Sequence, residues 1–360
     1  MAGSNLNRLS HLIWLLTFIL AAFGLLTIGS ASTATALADF QDPWHYVKLQ
    51  AIWVALGVIS FVLVRKLPMS FFKKNSRWIY LGGLIALALV FIPGLGLKIA
   101  GARRWLGLGW FSFQPAEFAK LTLVIYLSRF FTDVNFKIPA FLWAVGLYCL
   151  LVISEPDLGT TLVLSGIGLL MFYVCSGRTK QLLLLAPLGL ILSLLLIVIS
   201  PYRLSRLKTY LNSSHDPQGS SYQIRQALIG LGSGGWLGTG LGQSRQKYEF
   251  LPAVTTDSIF VIVGEEFGFV GSVIVVSAFL FLVLIGLEIS KVAPDKFTSH
   301  LAVGITGWIG LQTFLNLSAV TALVPLTGVP LPFISYGGSS VISLFIASGI
   351  LANIAKGNTC

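Results

Sequence analysis

Long apolar runs with almost no charge recur along the whole of this 360-residue chain, and they constrain its fold more than any motif does. A helix needs about 20 consecutive apolar residues to cross the bilayer core. Near-continuous apolarity at that length excludes transmembrane strands, which alternate over about ten residues and cannot satisfy their backbone alone in lipid. Composition removes the water-soluble alternatives: 55% of the residues are hydrophobic and only 10% charged, against about 25% charged in an ordinary domain. The expected fold class is all-α, a single polytopic membrane domain over 1–360 with about ten transmembrane helices and one large extracytoplasmic loop.

The runs place the spans at about 11–31, 46–64, 78–97, 114–131, 138–154, 157–176, 181–200, 257–288, 299–324 and 335–355, with the large loop at 201–256. Small residues at 32–36 could pass for a signal-peptidase site, but nine further runs favour a retained first helix. Arg65, Lys66, Lys73, Lys74 and Arg77 fall between runs two and three, and Lys and Arg also follow runs four, six and eight. The positive-inside rule therefore puts these short loops and both termini in the cytoplasm, and the chain in the cytoplasmic membrane as a multi-pass protein. The net charge of +11 is scattered between apolar runs, so anionic lipid rather than nucleic acid is the expected partner. Cys149, Cys175 and Cys360 have neither disulfide nor zinc spacing.

The long loop opens with a basic amphipathic stretch at 202–211, suited to a helix on the membrane surface. A second helical piece around 221–230 runs into a glycine-rich segment, 230–242. Glycines 230, 232 and 235 match a dinucleotide fingerprint formally. No strand precedes them and no acid follows about 20 positions on, so a close-packed irregular loop is expected instead.

Ionisable residues at membrane depth are costly and default to function. Arg103 and Arg104, in the outer loop before span four, are candidates for phosphate oxygens or for interfacial anchors. Glu117 lies in the first turn after Pro115, with Lys120 at i+3; the pair is either a helix cap or the lining of a wet cavity. Asp157, after Pro156, admits the same two readings. Asp257, where the long loop re-enters lipid, is either an N-cap or a partly desolvated general base. Glu265 and Glu266 sit about 80° and 180° around the same helix from Asp257 at about 100° per residue. Both cannot face one cavity unless the helix is irregular, and Glu265 is the expected partner of Asp257.

Seven strings in order resemble one family: GARRWL (101–106), QPAEFAK (114–120), EPDLGT (155–160), GSGGWLGTGLGQ (232–243), LPAVTTD (251–257), GEEFG (264–268) and PLTGVPLPFISYGGSS (325–340). Together they are similar to the SEDS cell-wall proteins, a family that includes RodA, FtsW and SpoVE. The resemblance implies a peptidoglycan glycosyltransferase that polymerises lipid II on the outer face of the cytoplasmic membrane. It implies Asp257 as the catalytic residue and Arg103, Arg104, Glu117, Lys120 and Asp157 as substrate-binding residues, to which helical spacing adds Glu265. Many members carry His-Thr-Asp where this chain has Thr255, Thr256 and Asp257, so a required histidine is not expected. GQSRQK (242–247) followed by FLP (250–252) is closer to the division member of the family than to the elongation member.

Implied partners are lipid II, the lipid-linked glycan, a class B penicillin-binding protein and other membrane proteins of the division or elongation machinery. Mg²⁺ or Mn²⁺ is left open as a helper for the departing pyrophosphate, and no organic cofactor is expected. Two other classes fit ten helices with buried charge: a precursor flippase or transporter, and a non-catalytic scaffold.

Overall fold

Proline and glycine punctuate the apolar runs, and the helices of the computed structural model begin, end and break at them. The structure describes residues 2–99, 102–108, 111–183, 220–247 and 254–357, with isolated residues between 184 and 219. In chain order the helices are α1 (Ala2–Phe40), α2 (His45–Val64), α3 (Met69–Leu89), α4 (Pro115–Phe130), α5 (Ile138–Ser154), α6 (Leu158–Ser176), α7 (Ser220–Ser233), α8 (Ile259–Val292), α9 (Lys296–Val320) and α10 (Gly338–Ala355). Extended Pro68 precedes α3, Pro115 occupies the first turn of α4, and left-handed Gly177 ends α6. Six helices (α1, α2, α6, α8, α9 and α10) are long and apolar enough to cross a membrane, and α5 is a shorter apolar helix. The protein is a polytopic helical membrane protein. α4 packs on α3, α6 and α9, while α10 packs on α1 and α2.

Most expected spans coincide with helices to within a few residues. α1 runs past its expected span at both ends and includes residues 32–36. The third helix starts at Met69 rather than 78, so Lys73, Lys74 and Arg77 lie on its first turns. It ends at Leu89, and three strands that follow it form an antiparallel sheet that the all-α reading did not anticipate. The strands are β1 (Gly96–Ile99), β2 (Ala102–Leu108) and β3 (Phe111–Phe113), with Ile99 opposite Ala102 and Leu106 opposite Phe113. Most of the span at 181–200 and of the basic stretch at 202–211 lies outside the described residues.

α8 is interrupted at Gly268 (φ 66°, ψ −163°), and the glycine-rich segment fills the break. The carbonyls of Glu265 and Glu266 accept from Thr239 N at 2.9 Å and Gly240 N at 3.1 Å. On the far side of the break, Phe269 N and Val270 N donate to Gly235 O at 2.9 Å and Trp236 O at 3.1 Å. Backbone groups freed by a break inside a bilayer must find such partners. The approach is close enough that a Cβ on Gly234, Gly238 or Gly268 would collide with facing main chain. Gly238→Ala is therefore expected to lower the thermal midpoint in detergent. Its left-handed backbone alone (φ +84°) costs an alanine roughly 1–2 kcal/mol. Gly232→Ala, in α7 with open space around the added Cβ, should raise the midpoint, since glycine inside a helix costs about 0.5–1 kcal/mol. Equal midpoints for the two variants would contradict this packing.

Candidate active site

The sheet delivers one of its two adjacent arginines to the helix ends. The register of β1 and β2 shifts between Arg103 and Trp105, leaving Arg104 without a strand partner; Arg103 is exposed and Arg104 half-buried. Arg104 Nε donates to Glu155 O at 3.0 Å and Nη2 to Pro156 O at 2.5 Å, which fixes the guanidinium over the α5–α6 junction. It lines a cavity of about 290 Å³ together with Trp53, Gln114, Glu117, Asp157, Thr256, Tyr336 and Ser339. Of the expected substrate-binding residues, Arg104, Glu117 and Asp157 meet here. Arg103, Lys120 and Glu265 are not among the lining residues.

Three helices start at this cavity. Gln114 is the N-cap of α4, Asp157 of α6 and Gly337 of α10, and all three line it. Neither Gln114 nor Gly337 caps its helix with a side chain. Helix N-termini present backbone N–H groups and a positive dipole end, so their convergence around an arginine favours an anion. Asp157 does cap, accepting from Thr160 N at 3.0 Å and Thr160 Oγ1 at 2.9 Å. Both readings of that residue therefore hold at once.

Lys120 is fully buried. Its Nζ donates to Glu117 Oε1 at 2.7 Å and to Gln312 Oε1 at 2.8 Å, and lies 5.4 Å from the centre of the Trp308 ring. It supports Glu117 from behind and is not in the cavity wall. Gln312 belongs to a row on α9, Trp308–Gln312–Asn316, spaced by four residues and so sharing one helix face. Trp308 Nε1 donates to Gln312 Oε1 at 2.8 Å, and Gln312 Nε2 to Pro330 O at 2.9 Å. Asn316 Nδ2 donates at 2.8 Å to both Val329 O and Asp257 O. One helix face thus ties the Glu117–Lys120 pair to the 329–330 loop and to the main chain of Asp257. Gln312 and Asn316 were not expected from the sequence. Neither is ionisable, and their one signal was polarity at four-residue spacing inside an apolar run.

Asp257 is half-buried just before α8. Thr256 Oγ1 donates to its Oδ1 at 3.1 Å, and a Cβ built on Gly328, a lining residue, would stand 3.8 Å from its Oδ2. Asp257 is not itself among the lining residues, but its carboxylate adjoins one of them, Gly328. Thr256 and Thr255 are held by Ser335 Oγ, which donates to Thr256 O at 2.5 Å, and Tyr336 N, which donates to Thr255 O at 2.8 Å. Glu265, expected as its partner, is engaged elsewhere: its carboxylate accepts from Ser244 Oγ at 2.5 Å, Arg245 N at 2.9 Å and Gln246 N at 3.4 Å. Glu266 accepts from Ser30 Oγ at 2.5 Å and Ser244 N at 3.3 Å, with Lys247 Nζ at 3.9 Å. The two glutamates clamp the 244–247 segment instead of facing Asp257. Among the described residues no three His, Cys, Asp or Glu side chains gather into a metal-ligating group.

Glu155 is a further residue to which the sequence assigned no role. It is buried between α5 and α6, and neither carboxyl oxygen has a hydrogen-bond partner among the described residues. Burial, with Asp157 beside it, pushes its pKa from the ordinary 4.5 up to about 8, against an opposing pull from Arg104. A carboxyl raised in the folded state is increasingly unfavourable as pH climbs from its unfolded to its folded value. Stability is thus expected to fall between pH 4.5 and about 8. Glu155→Gln should flatten that decline. A midpoint-versus-pH curve identical in wild type and variant would remove Glu155 as its source.

Residues 10–359 match the sequence profile of the FtsW/RodA/SpoVE family, described as a cell cycle protein. The chain belongs to this family. Stage V sporulation protein E of Bacillus subtilis is 37% identical over 352 residues, 96% of each chain. A probable peptidoglycan glycosyltransferase FtsW of Geobacter metallireducens is 36% identical over 358 residues, 98% of this chain and 96% of its own. Among solved structures, RodA of Thermus thermophilus superimposes with a TM-score of 0.71 at 25% identity, covering 95% of both chains. A chain of a peptidoglycan synthase complex, described as coordinating polymerisation and crosslinking, gives 0.77 at 25% identity over 95% of this chain and 97% of that one. The protein is a glycosyltransferase of the kind for which its FtsW relatives are named.

Proposed function

We propose that this chain polymerises lipid II into β-1,4 glycan strands at the outer face of the cytoplasmic membrane, with Asp257 as general base. The observation that carries the reading is the cavity itself: three helix N-termini and Arg104 converge on it, and the Asp257 carboxylate adjoins its lining residue Gly328. An α-linked lipid pyrophosphate becoming a β-linked glycan requires one inverting displacement. The acceptor 4-hydroxyl attacks the anomeric carbon, Asp257 takes the hydroxyl proton, and the pyrophosphate leaves with the bonding electrons. Pyrophosphate is a good leaving group, so the site needs to stabilise negative charge rather than to supply a strong acid. Arg104 and the helix ends do this, while the Glu117–Lys120 pair and the α9 row hold the wall in place.

The same geometry supports the expected sidedness. α4, α6 and α10 all begin at the cavity, which with an outward-facing cavity leaves the basic loops and both termini in the cytoplasm. The FtsW relatives and the 242–247 string support a role in septal synthesis during division. The peptidoglycan synthase neighbour supports a class B penicillin-binding protein as partner, since this chain carries no serine nucleophile motif for crosslinking. The deciding experiment is incubation of purified chain with lipid II, with and without a transpeptidase partner. Long glycan strands are expected. Movement of lipid II across vesicle bilayers without polymer would place the chain among transporters.

A further inference from the structure

At the other end of α4, twelve residues and about 18 Å from Glu117 at 1.5 Å per residue, the described residues surround a larger cavity of about 610 Å³. Its wall carries Arg77 of α3, Arg129 of the last turn of α4 and Lys137, the N-cap of α5, with Tyr126, Phe130 and Phe136. All three cations are exposed. Among the described residues none has an ion-pair partner. The one acid in the wall, Asp133, has an oxygen engaged by Asn135 N at 2.9 Å. Arg178 pins the intervening loop, donating to Val134 O at 2.9 Å and lying 4.3 Å from the centre of the Phe136 ring.

Arg129 has an ordinary explanation, because a cation suits a helix C-terminus. Lys137 does not. It sits at the N-terminus of α5, the dipole end that disfavours positive charge, and that terminus has no side-chain cap. An anion placed between Lys137 and the first N–H groups of α5 would relieve both conditions.

The same helix also carries an apolar groove. It is lined by Pro139, Leu142, Trp143, Gly146, Leu147 and Leu150, and a Cβ on Gly146 would meet nothing within 4 Å. From Pro139 to Leu150 the groove runs about 16 Å along the axis, close to half of the roughly 30 Å hydrocarbon core. A cationic cavity with aromatic walls at the start of α5, and a groove one leaflet long on the helix that follows, together have the form of a phospholipid. A soluble phosphate would use the first part only.

We propose that this surface binds an anionic phospholipid of the leaflet opposite the Arg104–Glu117 cavity. Arg77, Arg129 and Lys137 hold its phosphate, and an acyl chain lies along α5. The site does not depend on the reaction assigned to the other cavity. It is tested by titrating detergent-purified chain with fluorescent phosphatidylglycerol, then displacing the probe with unlabelled competitors. Phosphatidylglycerol should compete at least tenfold better than phosphatidylcholine. Replacing all three cations by Gln should weaken binding on the order of a hundredfold, at roughly fivefold per cation. Asp133→Asn should tighten binding, and Gly146→Trp, which fills the groove with the charges intact, should weaken it. A general folding defect cannot produce these opposite shifts. Equal competition by the two lipids, or unchanged binding in both the triple variant and Gly146→Trp, would overturn the proposal. So would equally good displacement by inorganic phosphate at the same concentration, which would make the site one for a soluble anion.

Discussion

Asp257→Asn is expected to slow glycan polymerisation by about 10²–10⁴, the range a positioned general base supplies. The change is isosteric and leaves the main-chain carbonyl bonded to Asn316, so the folded protein and its lipid II binding should survive. Asp257→Glu tests placement as well as charge. Its carboxylate is displaced by a methylene, and a misplacement of about 1 Å can cost roughly 10². Both variants are to be compared with wild type in the rate of lipid II consumption, with thermal midpoints measured in parallel. A base predicts a pH–rate limb that follows one ionisation and disappears in the Asn variant. Near-normal turnover by Asp257→Asn would refute Asp257 as the general base.

Lys120→Met should destabilise the fold by roughly 3–5 kcal/mol, the usual cost of leaving one member of a buried ion pair uncompensated. The lysine is 1% exposed and holds Glu117 at 2.7 Å and Gln312 at 2.8 Å. Its loss strands a carboxylate whose other oxygen, Oε2, has no partner among the described residues. Adding Glu117→Gln to Lys120→Met removes the stranded charge and should restore most of the stability. Denaturant unfolding of the single and double variants measures the coupling. A single variant as stable as wild type would mean that the pair is not buried as described.

How much of this could be read from sequence depended on scale. Apolar run length and proline position located the helices, because both act within a few residues. The sheet at 96–113 escaped because its strands are short, mixed with glycine and cation, and only weakly alternating. The difference between Arg103 and Arg104 follows from that sheet, whose register shifts at Arg104. Glu265 was misassigned because helix geometry measures angles along one element, whereas its partners at 244–246 come from a loop that the break at Gly268 admits. Asn316 and Gln312 carry no charge, so a search for ionisable groups passes over them. The anchoring of Asp257 depends on three separate elements meeting, which no local pattern encodes.

The partner that completes the burial of Lys120 lies 192 residues later in the chain. At a synthesis rate of about 5–20 residues per second, α4 enters the membrane roughly 10 to 40 s before Gln312 exists. Throughout that interval the ammonium has Glu117 alone, on the same helix turn. The half-made protein therefore carries a half-satisfied cation that only the arrival of α9 completes. A chain truncated before Gln312 would keep that ammonium half-satisfied permanently.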